Sequence, residues 1–260
     1  MNQFFDQKRF SLLVLKHWAD NKKRYTLSLL AYMGLLITWF LFGLIIEGIP
    51  EGHGLPEEIQ LTTFFFSLFA VGTFYASQYF SDLGSREKGS HLLLVPASSF
   101  EKLLCSLFFT VIVFPILMIA CFYLVDVSMV TIANSFSGGS ISKGKSTVAN
   151  IFEAELIRFN TKQTIYLLLF FFSVQSLFLL GSAYFKKYNF IKTIITGFLV
   201  FVACFFLVYV IAEHIVPEEK EDYYFLKIEK WFPTFLQALA YSTAPIAWVA
   251  TYFVLKAKQV

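Results

Sequence analysis

Six stretches of this chain run for about 20 residues or more without an Asp, Glu, Lys or Arg: residues 27–46, 61–80, 103–125, 164–185, 193–212 and 235–255. An α-helix rises about 1.5 Å per residue, so each is long enough to cross a hydrocarbon core of about 30 Å. In lipid the backbone must satisfy its own hydrogen bonds, which selects helices for such segments. A transmembrane barrel would instead show shorter, alternating segments. The chain has 260 residues and only 15% are charged. A soluble globular chain carries about 25%, so too little charge is present to coat a soluble domain of this size. The expected fold class is an all-α integral membrane protein: one transmembrane domain over residues 1–260, with six transmembrane helices and an N-terminal amphipathic interfacial helix at residues 1–26.

The basic residues set the orientation. With the N-terminus in the cytoplasm, the inner segments are 1–26, 81–102, 186–192 and 256–260, and they hold 14 of the 21 Lys and Arg. An excess of Lys and Arg marks the cytoplasmic side, so both termini are expected inside. The net charge of +3 is small and does not point to nucleic acid. The basic flank before the first span is too long for a cleavable signal peptide, and no small-residue cleavage pattern follows it; the first span is read as retained.

One motif invites a different reading. In GGSISKGKST, Gly139, Gly144, Lys145 and Ser146 fit the phosphate-binding pattern G-x-x-x-x-G-K-[ST]. That pattern binds phosphate where a strand leads in and a helix leaves. Here it falls in the outer connection 126–163, away from cytoplasmic ATP, and the chain has no place for the parallel sheet a nucleotide-hydrolysing domain needs. It reads as a flexible Gly/Ser/Lys loop.

The inner loop SDLGSREKGSHLLLVPASSFEK carries more information. Its apolar run Leu92, Leu93, Leu94 and Val95 is too short to span a membrane and must be covered by the bilayer, by other spans or by a partner. Ser98 followed by Glu101 is a capping-box signature, marking a helix start just after the turn at Pro96. Upstream, Phe10, Leu13, Val14, His17 and Trp18 fall on one helical stripe of a basic segment, as in helices that lie at a membrane surface.

With six spans, both termini inside, a basic approach helix and this loop, the chain resembles the ABC-2 type permeases, the membrane subunits of bacterial ATP-binding-cassette exporters. The motif residues are Glu87, Gly89, Ser90, Leu92, Leu93, Leu94 and Pro96, then Ala97–Ser99 and EKLL; VPASSFEKLL is the closest local match. The resemblance covers the whole chain in topology and about 20 residues in motif. It implies that Asp82, Arg86, Glu87, Lys88, Gly89, Leu92, Leu93, Leu94 and Pro96 form the loop that docks on an ATPase subunit. It implies no cofactor in this chain, with ATP and Mg bound by the partner ATPase, and pairing with a second permease copy or a paralogue. It also implies a multi-pass protein of the bacterial inner (cytoplasmic) membrane. The outer connection 126–163 is longer than the resemblance leads one to expect. Its second half carries Val148, Phe152, Leu156 and Phe159 at helical spacing, suited to the outer leaflet or an extracytoplasmic partner. A second outer connection, 213–234, holds Tyr223, Tyr224, Phe225, Trp231 and Phe232.

Catalytic chemistry is not suggested. Cys105, Cys121 and Cys204 lie in spans and read as packing residues. His17, His53, His91 and His214 are scattered, with no ligand spacing around them. Within the six stretches, Gln78, Gln175 and Gln237 are the largest polar groups, for a substrate path or for packing between helices. Pro115 and Pro245 are expected to bend spans three and six. Two other readings stay open: a membrane anchor or scaffold that holds partners, and a membrane-embedded lipid-modifying enzyme.

Overall fold

In the computed structural model, the described residues are 4–48, 55–85, 89, 94–136, 147–151, 161–215, 238 and 241–258. They are helical almost throughout, and no strand occurs among them. The helices are α1 (Gln7–Gly43), α2 (Glu57–Tyr79), α3 (Ser99–Leu107), α4 (Phe114–Phe136), α5 (Thr161–Tyr184) and α6 (Asn189–Ile215), followed by α7 at 241–258. A π-helical turn, Leu44–Gly48, extends α1, and a second, Phe108–Val113, joins α3 to α4. Among the described residues four helices are long and apolar enough to cross a membrane: Gln7–Ile46, Glu57–Tyr79, Ser99–Ser135 and Ile165–Tyr184. Residues 189–204 of α6 form a shorter apolar helix. The chain has the make-up of a multi-pass membrane protein. Many large apolar side chains, such as Leu27, Trp39, Phe66, Phe198 and Phe201, are exposed, as they are where lipid rather than water is the solvent.

The helices outrun the charge-free stretches that predict them. Residues 1–26 were expected as a separate interfacial helix, but α1 runs unbroken from Gln7 to Gly43. Nothing in 7–33 breaks a helix: this part contains no Pro and no Gly. At 1.5 Å per residue α1 is about 55 Å long, well beyond the 30 Å that a hydrocarbon core requires. The expected stripe holds in part. Phe10, Leu13, Val14 and His17 are half-buried, while Trp18 is exposed. The stripe then continues through Tyr32, Leu36 and Phe40, all buried.

The chain divides into two compact units. The first comprises Met1–Gly72 and Pro96–Leu167. Its centre is Phe122 of α4, fully buried, with ring centroids 6.0 Å from Phe40 of α1 and 5.0 Å from Phe64 of α2, both edge-on. Edge-to-face contact of this kind adds to the gain from burial. Tyr32 Oη and Ser67 Oγ, 3.0 Å apart and buried, link α1 to α2 with a hydrogen bond. The π-helical turn precedes Pro115, which was expected to bend its span. Proline lacks an N–H and its ring crowds the carbonyl four residues back, here Val111; a wider turn at this point relieves both problems.

The second unit comprises Thr73–Val95 and Leu168–Val260. Phe190 of α6 packs edge-on to Phe74 of α2 at 5.7 Å and against Phe178 of α5 at 5.3 Å. Close approach of α5 to α6 depends on Gly181: a Cβ there would overlap the Thr193 hydroxyl. Tyr188, in the left-handed region at φ 55°, closes the turn between the two helices. Lys258 of α7 donates to the Ala183 carbonyl at 2.6 Å, satisfying a carbonyl at the C-terminal end of α5, where the helix dipole favours a cation. Burial, with Lys186 nearby, lowers the pKa of Lys258.

Candidate functional site

The entrance to α3 is capped as the Ser98–Glu101 spacing predicts. Ser98 Oγ accepts from the Glu101 N–H at 3.1 Å, and Glu101 Oε2 accepts from the Ser98 N–H at 2.8 Å. This box also captures the N-terminal segment. Glu101 Oε1 accepts from the Asp6 N–H at 2.8 Å and from Arg9 Nη2 at 3.0 Å. Ser98 Oγ donates to the Phe4 carbonyl at 2.7 Å. Phe4 stacks on Phe100 with centroids 4.8 Å apart, and Phe5 meets the same ring edge-on at 6.4 Å. Asp6 is itself the N-cap of α1, its Oδ1 accepting from the Lys8 and Arg9 N–H groups. The starts of two helices are thus knotted together, with both Glu101 oxygens engaged at zero exposure. Two carboxylates serve two helix N-termini, where the positive end of the dipole favours them. The salt bridge Arg9–Glu101 is lopsided: Glu101 is fully buried and Arg9 is 35% exposed.

In the second unit the chain leaves α2 through a 3-10 turn, Ser81–Gly84. This turn lies against the turn that follows α5, so closely that a Cβ on Gly84 would overlap the Lys186 carbonyl oxygen. Asp82 is exposed on it. Gly89 is buried and donates its N–H to the Ser85 carbonyl at 2.9 Å. Leu94 is a large apolar side chain 79% exposed among the described residues. Pro96 is exposed. Arg86, Glu87, Lys88, Leu92 and Leu93 lie outside the described residues.

The polar residues noted within spans are divided. Gln175 is buried in α5, Gln78 is half-buried in α2, and Gln237 lies outside the described residues. The glycine-rich stretch Gly139–Ser146, Phe152, Leu156 and Phe159, and the aromatic residues of 223–232 also lie outside them. Cys105 is buried, Cys121 half-buried and Cys204 exposed, all as free thiols. Among the described residues no cluster of His, Cys, Asp or Glu could hold a metal ion.

Two buried polar residues were not singled out from the sequence. Gln60, at zero exposure, donates to the Leu55 and Thr147 carbonyls at 3.2 and 3.1 Å and accepts from the Ala149 N–H at 2.8 Å. It pins residues 147–149 to the start of α2. Asp126 lies in α4, also at zero exposure. The sequence reading ended span three at residue 125 because Asp126 is charged. The helix continues to Phe136.

Comparisons with protein-family models, with curated proteins and with solved structures find no match.

Proposed function

We propose that this chain is the permease subunit of an ABC exporter of the ABC-2 type. Six helices, formed from the stretches at 27–46, 61–80, 103–125, 164–185, 193–212 and 235–255, cross the bacterial cytoplasmic membrane with both termini inside. Two copies, or one copy and a paralogue, form the translocation path. ATP and Mg are bound by separate ATPase subunits, and this chain contributes no catalytic residue. The observation that carries the proposal is Leu94: a leucine 79% exposed in the apolar run just before the capped entrance of α3. Apolar surface left in water costs roughly 25 cal/mol per Å², so the run calls for a cover. An ATPase cleft supplies one.

The knot of Phe4, Asp6 and Arg9 on Ser98 and Glu101 supports the same reading. A push on the loop would reach the approach helix and span three together, because they are fastened at one point. The test is co-purification of the chain, expressed with its neighbouring genes, from native membranes. A stoichiometric ATPase is expected, and Leu93→Asp should insert normally yet lose that ATPase or uncouple its hydrolysis from transport. If no ATPase accompanies the wild-type chain, or Leu93→Asp binds and couples unchanged, the reading fails.

A further inference from the structure

Asp126 sits in the apolar stripe of α4, among Phe122, Val125, Met129 and Val130, all nearly inaccessible. The backbone N–H of Ala149 lies beside the carboxyl, but its well-formed hydrogen bond goes to Gln60 Oε1 at 2.8 Å, and no other described group bonds either carboxyl oxygen. The neighbouring donors among the described residues are given elsewhere: the Gln60 amide to the Leu55 and Thr147 carbonyls, and the Ile151 N–H to Tyr123 Oη at 3.4 Å. The cover is the 147–151 segment, in which Ala149 and Ile151 are each 1% exposed. The titratable groups on the surrounding elements are Tyr123 and Cys121 on the same helical run, Glu57 and Glu58 at the start of α2, and Tyr32 on α1. None is a cation. Asp126 lies 27 residues beyond Ser99, or about 40 Å along the helix, a distance greater than the 30 Å thickness of a hydrocarbon core.

We propose that Asp126 is a proton-binding site and that its occupancy holds the 147–151 segment in place. A buried carboxylate whose one neighbouring donor, the Ala149 N–H, is shared with Gln60 is strongly disfavoured, whereas the neutral acid fits an apolar stripe. Ionisation moves the proton to water and leaves an anion that needs hydration. Water reaches it only if the cover lifts, which means breaking the two Gln60 bonds to Thr147 and Ala149. The segment is therefore closed with the proton on and open with it off. This inference does not depend on the transport reading.

The experiment is hydrogen exchange on the purified full-length chain, followed by mass spectrometry of a peptide covering 147–151 and corrected for intrinsic rates. Between about pH 6 and about pH 9 the wild type should lose protection there by about tenfold or more, and Asp126→Asn should stay protected at both. Gln60→Ala should be unprotected at both, which establishes that protection reports docking. Wild-type protection that ignores pH, or an Asp126→Asn variant that follows the wild-type pH profile, would each overturn the proposal.

Discussion

Replacing Glu101 by Gln tests whether the knot at the start of α3 fastens the N-terminal segment. Glu101 accepts three hydrogen bonds, from the Asp6 N–H, Arg9 Nη2 and the Ser98 N–H, with both oxygens in use. Gln keeps the shape but has one acceptor oxygen, and its amide nitrogen must face a donor. Either the Ser98 N–H or the Asp6 N–H then loses its partner. A bond to a charged acceptor contributes about 1.5–3 kcal/mol, and a buried donor left unsatisfied costs about 1–3 kcal/mol. The Arg9 contribution is discounted, since a guanidinium 35% exposed turns to water when released. The net cost to the knot is then about 2 kcal/mol. At tenfold per 1.4 kcal/mol, opening of the segment becomes about 30 times more frequent. Hydrogen exchange of a peptide covering residues 4–11 in the purified protein reads this directly. Arg9→Ala, which leaves the carboxylate with two backbone donors, should change the same peptide by about fivefold or less. If Glu101→Gln exchanges within about twofold of wild type, the bonds at Glu101 do not hold the segment and the reasoning is refuted.

Other changes have equally definite outcomes. Phe122→Ala removes the ring between Phe40 and Phe64 and should cost about 3–5 kcal/mol, read as a lower unfolding temperature in detergent. Gly181→Leu should separate α5 from α6, because its Cβ overlaps Thr193; cysteine cross-linking between the two helices should fall while Gly34→Ala, in open space, leaves stability unchanged. Gly84→Ala should destabilise the turn Ser81–Gly84, since the atom in its way is backbone that cannot swing aside; limited proteolysis at that turn would show it. For topology, a cysteine at Ser140 in a background without native cysteines should react with an impermeant thiol reagent from outside the cell. Reaction only after the membrane is opened would reverse the proposed orientation.

What could be read from the sequence follows the range of the interaction involved. Ser98 and Glu101 are three residues apart, so their mutual capping is written in local spacing, and the structure contains it. The partners that Glu101 takes from the N-terminal segment, Asp6 and Arg9, are 95 and 92 residues away, and no local pattern announces them. Phe122 could not be picked out among 33 phenylalanines, because its role comes from lying between Phe40 and Phe64. Asp126 falls just beyond a charge-free stretch. A span defined by the absence of charge must stop at the first acid, whereas helix propagation depends on backbone bonds and continues to Phe136. Gln60 likewise lies one residue before the charge-free stretch 61–80, though it is fully buried in α2.

The wide turn Phe108–Val113 has a consequence for phase. In an α-helix each residue advances about 100° around the axis, and a π-turn absorbs one extra residue without lengthening the helix in proportion. Glu101 lies before that turn and Phe122 after it; the first must face the N-terminal segment and the second must face α1 and α2. The extra residue acts as a vernier between these two bearings. Converting 108–113 to regular α-helix at constant length would swing one anchor about 100° away from its target, so the chain could keep the knot or the aromatic centre but not both. Deleting one residue within the turn would give a regular helix with both bearings kept, whereas deleting one between the turn and Phe122 would set the two ends of this helix at odds while leaving each well formed.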